Sequence, residues 1–280
     1  MIAVLSVAGQ EVHALPEGPP VLGVTLLAGE IYLLRDRTRD QVEVYDATTY
    51  SIRDHVTVSI GRQISDMTSC EHALCVYISD PDAQCVHKLD VYKVATRWAV
   101  KDKPRGLSVN AAHNVIVTCA DVRKIKEFSS GGDLLRELTL PDDVINPHHA
   151  IQTHNGQFIV CHGYHDDPLH RVCVVSADGC HIDHSHGKIW GKAIGQYNVP
   201  RHLAVDDNEL VYVDDVFNRR VTVLSPTLEY ICVAVSREQL KWRPVRLCLD
   251  IKQRLLYIAD NEWKDEDKRW TSGRVVVFGV

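Results

Sequence analysis

One sequence phrase recurs six times along this chain and constrains its fold more than any other feature. The clearest copy is Pro200–Leu224, in which three apolar runs are separated by turn residues. Further copies begin at Pro104, Pro147 and Pro244, and looser ones begin at Val21 and Ile64. Three short strands with turn chemistry between them predict an antiparallel meander in each copy.

The spacing of the copies predicts the architecture. Their third residues lie between 40 and 53 positions apart, and a further apolar run, such as Leu134–Leu140, follows each of the first five copies. Periods of this length with four strands each are typical of propeller blades, whereas helical repeats would show a 3.6-residue periodicity. We therefore predict an all-β, six-bladed β-propeller built from four-stranded antiparallel blades.

The two ends of the chain predict how the ring closes. The last copy stops at Val280 without a fourth strand, while the head of the chain has two spare apolar runs, Ile2–Ser6 and Glu11–Leu15. Because an open ring would leave unpaired strand edges, we expect the N-terminal strand to pair with the C-terminal blade. The prediction is one domain over 1–280, with these approximate blades: 20–63, 64–103, 104–146, 147–199, 200–243, and 244–280 plus 1–15.

Composition narrows the functional classes. The net charge is −6, which argues against non-specific binding of nucleic acid. No apolar stretch is long enough to cross a membrane, and we expect no membrane partner. The nine cysteines are odd in number and mostly lie inside apolar runs, and no signal peptide is visible. We therefore expect a monomeric cytoplasmic protein with reduced thiols.

Polar residues recur at the positions that should face the central channel. The third residues of the six phrases are Gly23, Asp66, Gly106, His149, His202 and Arg246. The last residues of the six second strands are Arg35, Asp80, Cys119, His162, Asp215 and Asp260.

These two rings suggest a metal site as one alternative. His149, His202 and His162 are predicted zinc ligands, because three imidazoles with an open fourth position suit a catalytic zinc ion. In this alternative Asp66 or Asp215 serves as the base and Arg246 holds an anionic group. The competing interpretation is a polar channel rim that contacts a ligand without catalysis, with no cofactor.

Loops and charges suggest a binding face. The loop between the second and third strands of blade six carries Trp263 and Trp270 among charged residues, which is a signature of interfaces. Basic residues near the phrase starts, such as Arg105, raise single-stranded RNA as another partner. The full set for that alternative is Arg35, Arg37, Arg39, Arg105, Arg123, Arg201, Arg219, Arg220 and Arg246.

Pro200–Leu224 contains the segment LAVD, then VYV followed by acidic residues, and then the ending NRRVTVL. This phrase resembles the NHL repeat of six-bladed propellers. This resemblance implies a module like the C-terminal domain of tripartite-motif proteins, which binds protein partners or RNA on one face. Peptidyl-amidating lyases and gluconolactonase-like hydrolases share the architecture and hold zinc or calcium at the channel.

We therefore predict a binding scaffold that presents a protein- or peptide-interaction face around the channel. The alternatives are a metal-dependent lyase or hydrolase with a histidine-rich site at the channel mouth, and a single-stranded RNA-binding face. The candidate binding-face residues are Asp66, Arg105, His149, His202, Arg246, Arg35, His162, Asp215, Trp263 and Trp270.

Overall fold

A computed structural model describes residues 9–36, 40–60 and 64–280. Its strands form six four-stranded sheets, each antiparallel throughout. The predicted all-β, six-bladed propeller is confirmed.

Each of blades one to five takes its four strands consecutively from the chain, and their bounds follow. Blade one consists of β2 (Val21–Leu27), β3 (Glu30–Arg35), β4 (Gln41–Asp46) and β5 (Ile52–Thr57). Blade two consists of β6 (Asp66–Cys70), β7 (Cys75–Asp80), β8 (Cys85–Asp90) and β9 (Ala95–Ala99). Blade three consists of β10 (Gly106–Val109), β11 (Val115–Cys119), β12 (Lys124–Phe128) and β13 (Leu134–Thr139).

Blades four and five follow the same order. Blade four consists of β14 (Pro147–Gln152), β15 (Phe158–His162), β16 (His170–Val175) and β17 (Ile182–Lys188). Blade five consists of β18 (Pro200–Val205), β19 (Val211–Asp215), β20 (Arg220–Leu224) and β21 (Tyr230–Val235). One-turn 3₁₀ helices, Ala120–Val122 and Val216–Asn218, connect the second and third strands of blades three and five.

Blade six is completed from the other end of the chain. It consists of β22 (Arg243–Asp250), β23 (Leu255–Lys264), β24 (Arg269–Gly279) and β1 (Gln10–Ala14). β1 pairs with β24 in antiparallel register, with Gln10 opposite Gly279 and Ala14 opposite Val276. This pairing confirms that the N-terminal strand closes the ring. The predicted run Ile2–Ser6 lies outside the described residues, as do Arg37 and Arg39.

The hydrophobic core is divided among the interfaces between blades. Five of six apolar clusters join two neighbouring blades, as where Val76 of blade two packs in one cluster with Val44 of blade one. The remaining cluster joins blades five, six and one. Buried thiols such as Cys161 and Cys173 contribute to these clusters, and all nine cysteines are free. In the described ranges no helix has the length and hydropathy of a membrane span.

Bulges at the starts of four innermost strands shape the channel mouth. The pairing shifts between Pro147 and His149 in blade four and between Pro200 and Leu203 in blade five. Similar shifts occur at the starts of β2 and β22. A bulge inserts an extra residue and re-aims the side chains beside it. The strict inward–outward alternation of a strand is therefore broken at the mouth.

Candidate functional site

Asp66 lies at the centre of the ring and connects several blades. Its Oδ1 lies 3.0 Å from Nε of Arg246 in blade six and 3.3 Å from Nε2 of His202 in blade five. Its Oδ2 accepts a hydrogen bond of 2.9 Å from the backbone N–H of Leu107 in blade three. Burial opposes ionisation, but His202 and Arg246 hold the pKa of Asp66 below its usual range. Asp66 is therefore a buried carboxylate that is already compensated by the protein.

The two ring histidines stack beside this carboxylate. The ring centroids of His149 and His202 lie 3.9 Å apart. His149 Nε2 donates to the carbonyl of Leu107 at 2.9 Å, while its buried Nδ1 has no hydrogen-bond partner. Burial and the neighbouring His202 lower the pKa of His149 to about 3, so it is neutral at physiological pH. The backbone N–H of Leu247 donates to Nδ1 of His202, which leaves the Nε2 proton facing Asp66.

The central cluster does not fit a zinc ion well. Asp66, His149 and His202 have ligand atoms within 4.8 Å of one another. The guanidinium of Arg246, however, occupies the position beside Asp66 Oδ1 that a cation would take. Arg246 is fixed there by further hydrogen bonds to the carbonyls of Val245 and Ser65. A metal ion would have to displace a positive charge that the protein itself supplies.

His162, the third predicted zinc ligand, is used elsewhere. Its Nδ1 donates to the carbonyl of Ile145, and its Nε2 accepts a hydrogen bond of 2.8 Å from Nε of Arg171. It does not belong to the group of ligand atoms formed by Asp66 and its two histidines. The reason is geometric, because His162 ends the second strand and faces the connection that enters its blade. The expected meeting of three imidazoles does not occur.

Two other residues that end second strands, Asp215 and Arg35, behave in the same way. Asp215 accepts hydrogen bonds from the backbone N–H of Asn198 and from Nε of Arg220. Arg35 donates to the carbonyls of Pro16 and Pro19, in the segment that follows β1. These side chains fasten the connections between blades and are held away from the channel centre.

A second buried group, in blade two, also has the composition of a metal site. His87 Nε2 lies 3.1 Å from Asp80 Oδ2 and 3.5 Å from Cys85 Sγ. Both contacts use the same ring nitrogen, so His87 cannot relay a proton from the thiol to the carboxylate as a catalytic triad requires. Burial raises the pKa of Cys85, which further disfavours a reactive thiolate.

An open pocket lies above the central cluster at the channel mouth. We call it the mouth pocket; its volume is ≈ 440 Å³, and its wall includes Tyr164 and Trp270. Arg105, His148 and Arg201 line it, and the same three residues also line the narrow space below, next to Asp66. The three side chains come from blades three, four and five, at the second residue of each phrase.

The bottom of the mouth pocket carries excess positive charge. Arg105 Nη1 donates to Nδ1 of His148 at 3.1 Å, and Nε2 of His148 is buried without a partner. Burial and the proximity of Arg246 and Arg105 lower the pKa of Arg201 to about 9. Burial, Arg105 and Arg201 also lower the pKa of His148 well below its usual range. Each of these shifts reports repulsion between neighbouring cations and their loss of solvent.

A row of aromatic rings begins and ends at the wall of the mouth pocket, on the same face. We call this row the aromatic ridge. Consecutive ring centroids are separated by 3.9 to 6.2 Å, and the Trp263–Trp270 distance is 5.0 Å. The rings are those of His148, Tyr164, His165, Phe217, Trp263 and Trp270.

The middle of the ridge borders a second pocket, which lies between blades five and six. We call it the blade five–six groove; its volume is ≈ 630 Å³, and its wall includes Phe217 and Trp263. The guanidinium of Arg243 covers the face of Phe217 at 4.4 Å, and Nζ of Lys241 covers Trp242 at the same distance. The basic residues of the wall are Lys192, Arg219, Arg220, Arg237, Lys241 and Arg243.

The predicted ring of third residues covers only part of the site. The mouth pocket and the aromatic ridge add His148, Tyr164 and Phe217, which the sequence-based predictions do not include, and Arg201, which they include only among the residues for RNA. A usable signal was present, because second residues of the phrases include Arg105, His148 and Arg201 in consecutive blades. The bulges beside His148 and Arg201 cannot be recognised from an alternating pattern.

Comparisons with known proteins support the fold. No protein-family model matches the sequence, and no curated protein sequence matches it. A streptogramin B lyase structure superposes with a TM-score of 0.64 at 10% identity, covering 96% of this chain and 84% of that chain. Kuenenia stuttgartiensis hydrazine synthase superposes with a TM-score of 0.62 at 13% identity, covering 94% of this chain and 97% of that chain.

A catalytically inactive histidine-to-alanine variant of virginiamycin B lyase from Staphylococcus aureus, with quinupristin, is also similar. Its TM-score is 0.64 at 10% identity, with 97% of this chain and 99% of that chain covered. Likeness at such low identity shows a shared propeller fold and carries no activity with it. The NHL resemblance remains a prediction.

Proposed function

We propose that this propeller is a binding module that captures a protein or peptide partner on its channel-mouth face. The observation that carries the proposal is the aromatic ridge, because it is a continuous row of rings that joins two open pockets on one face. Tyr164 is 38% exposed, and Trp263 and Trp270 remain half-buried. Aromatic anchors beside arginines are enriched among the residues that dominate binding energy at interfaces.

The arrangement of the aromatic rings favours a peptide over single-stranded RNA. RNA would need free ring faces for base stacking. The faces of Phe217 and Trp242 are instead covered by Arg243 and Lys241, and Trp263 meets Trp270 edge-to-face. Ile189 and Ile194 are exposed and lie within three residues in sequence of Lys192, which lines the groove, and aliphatic side chains suit a peptide better than a nucleic acid.

The metal-dependent lyase or hydrolase is the weaker alternative. Its supporting observation is the cluster of Asp66, His149 and His202, and the propeller fold is shared with a lyase. Arg246 opposes it by neutralising Asp66. Elemental analysis of untagged protein should find substoichiometric zinc. Near-stoichiometric zinc that is lost in the His149→Ala/His202→Ala variant would instead establish the metal site.

A displayed library of random peptides, selected against the purified protein, tests the proposal directly. Affinities of the selected peptides are then measured by fluorescence anisotropy for wild type, Trp263→Ala and Tyr92→Ala. Tyr92 is 85% exposed on the turn between β8 and β9, on the opposite face, so it is the matched control. We expect roughly 10- to 100-fold weaker binding for Trp263→Ala, as for interface anchors, and no change for Tyr92→Ala.

Two results would contradict the peptide proposal. The first is that selected peptides bind Trp263→Ala and wild type equally, which would place the binding face elsewhere. The second is that a single-stranded RNA oligomer binds more tightly than any selected peptide, with an affinity that falls steeply as salt rises. The second result would show that the channel-mouth face binds RNA.

A further inference from the structure

We propose that the bottom of the mouth pocket is an oxyanion site, and that the group it takes is a doubly charged phosphoryl group. The proposed function bears only on which molecule carries the phosphoryl group to the site. The site itself is tested with inorganic phosphate. Arg105, His148 and Arg201 are the residues that we assign to it.

Arg105 and Arg201 have no ion-pair partner. Among the residues that the structure describes, no carboxylate lies within ion-pair distance of either guanidinium, and Asp121 and Asp214 act on the two charges only from farther away. Arg246 does have one, and its charge is compensated by Asp66. The pocket wall also carries Asp36 and Asp121. Asp121 is exposed and lies 3.5 Å from Lys103, while Asp36 has an interaction of its own.

His148 is a buried donor at the edge of the pocket. It is 3% exposed, and its Nε2 has no partner with hydrogen-bond geometry, although the backbone of Gly163 lies close enough to act on the ring. Its Nδ1 accepts from Arg105, so in the neutral ring the proton resides on Nε2. Buried polar groups are nearly always satisfied, so an exception next to a pocket calls for a partner such as an ion or a water molecule. A bound oxyanion would satisfy this N–H.

The arrangement of the donors matches the shape of a phosphoryl group. The donors approach from three blades, so they surround the pocket floor instead of forming one planar fork. A planar carboxylate is matched by a single bidentate guanidinium, whereas a phosphoryl group offers three oxygens to converging donors. Two negative charges also compensate two unpaired guanidinium groups more fully than one does.

The experiment is isothermal titration calorimetry with inorganic phosphate and with acetate, at constant ionic strength. The proteins are wild type, Arg201→Gln, His148→Gln and the control Arg254→Gln. Arg254 is exposed in the connection between β22 and β23, on the opposite face. We expect phosphate to bind wild type and Arg254→Gln with equal affinity. It should bind Arg201→Gln and His148→Gln at least tenfold more weakly. Acetate should bind all four proteins poorly.

If a variant folds poorly, thermal unfolding with and without phosphate provides a second measurement of binding. Phosphate should raise the unfolding temperature of wild type and leave that of Arg201→Gln unchanged, because only the folded site binds it. Without phosphate, Arg201→Gln should be at least as stable as wild type, since it relieves repulsion among cations.

Each other outcome overturns the assignment. Absence of phosphate binding, or equal binding by Arg201→Gln, removes the site. Equal affinity for acetate and phosphate removes the phosphoryl preference. These failures are separate from failure of the proposed function, since unphosphorylated library peptides could still bind through Trp263.

Discussion

Arg246 of blade six and Asp66 of blade two form a buried ion pair across the centre of the ring, with Nε 3.0 Å from Oδ1. The side chains are 6% and 2% exposed, respectively. Together with the amide of Leu107 and the ring of His202, the pair connects blades two, three, five and six. Removing one partner of such a pair leaves an uncompensated buried charge.

Asp66→Asn should therefore lower the free energy of unfolding by about 3–5 kcal/mol. The measurement is urea denaturation followed by circular dichroism. Adding Arg246→Met should restore part of the loss, because the orphaned cation is then absent. Asp142→Asn is the control, since its salt bridge with Arg123 is at the surface and its side chain is 97% exposed. A loss in Asp66→Asn no larger than in the control would contradict a structural role.

His162→Gln should change the response of stability to acid. Burial and Arg171 lower the folded-state pKa of His162 to about 4, whereas an unfolded histidine titrates near 6.5. Between these values the unfolded chain binds more protons, so this histidine destabilises the fold as pH falls. The variant should gain up to about 3 kcal/mol relative to wild type between pH 6.5 and 4.

The comparison must be made as a difference between proteins, because other groups titrate in the same range. Burial raises the pKa of Asp214 and of Asp215 to about 6, and these two carboxyl groups oppose the histidine trend. The difference between wild type and His162→Gln isolates one group. The exposed His154→Gln is the control. A difference that is flat with pH would show that His162 titrates normally.

Because the N-terminal segment closes the ring, we expect alanine substitutions at two of its positions to have unequal effects on stability. Leu15 is 1% exposed and packs in the cluster between blades six and one, whereas Val12 on β1 is 54% exposed. Leu15→Ala should cost about 2–5 kcal/mol, in the range for buried leucines. Val12→Ala should change stability by less than about 0.5 kcal/mol. Equal losses of stability for the two variants in chemical denaturation would show that the N-terminal segment does not close the ring.

Gly106 should not tolerate a side chain. A Cβ there would lie 2.4 Å from the carbonyl oxygen of His148 and 2.8 Å from Cα of His149, so the first strands of blades three and four would have to separate. Gly106→Ala should cost about 1–3 kcal/mol. Gly131→Ala is the control, because its nearest neighbour would be Ser129 Oγ at 3.6 Å. Similar denaturation midpoints for the two variants would contradict the close approach.

The repeats in the sequence were sufficient to predict the propeller, its blade number and its closure. They sufficed because apolar alternation and turn residues are local signals, and a closed ring packs each blade between two neighbours and leaves only short, protected strand edges. The ring of Asp66, His149, His202 and Arg246 followed from the same register. Spacing alone could not distinguish a zinc site from an ion pair, because that choice depends on distances across the channel.

Tertiary structure decided the rest. His162 and Asp215 end their strands in equivalent positions, yet they fasten connections between blades instead of facing the channel. Bulges at the starts of β14 and β18 break the alternation and bring His148 and Arg201 to the mouth. Their pairing, and the contact of Tyr164 with His148, depend on how neighbouring blades pack, and this long-range geometry is not encoded in any single repeat.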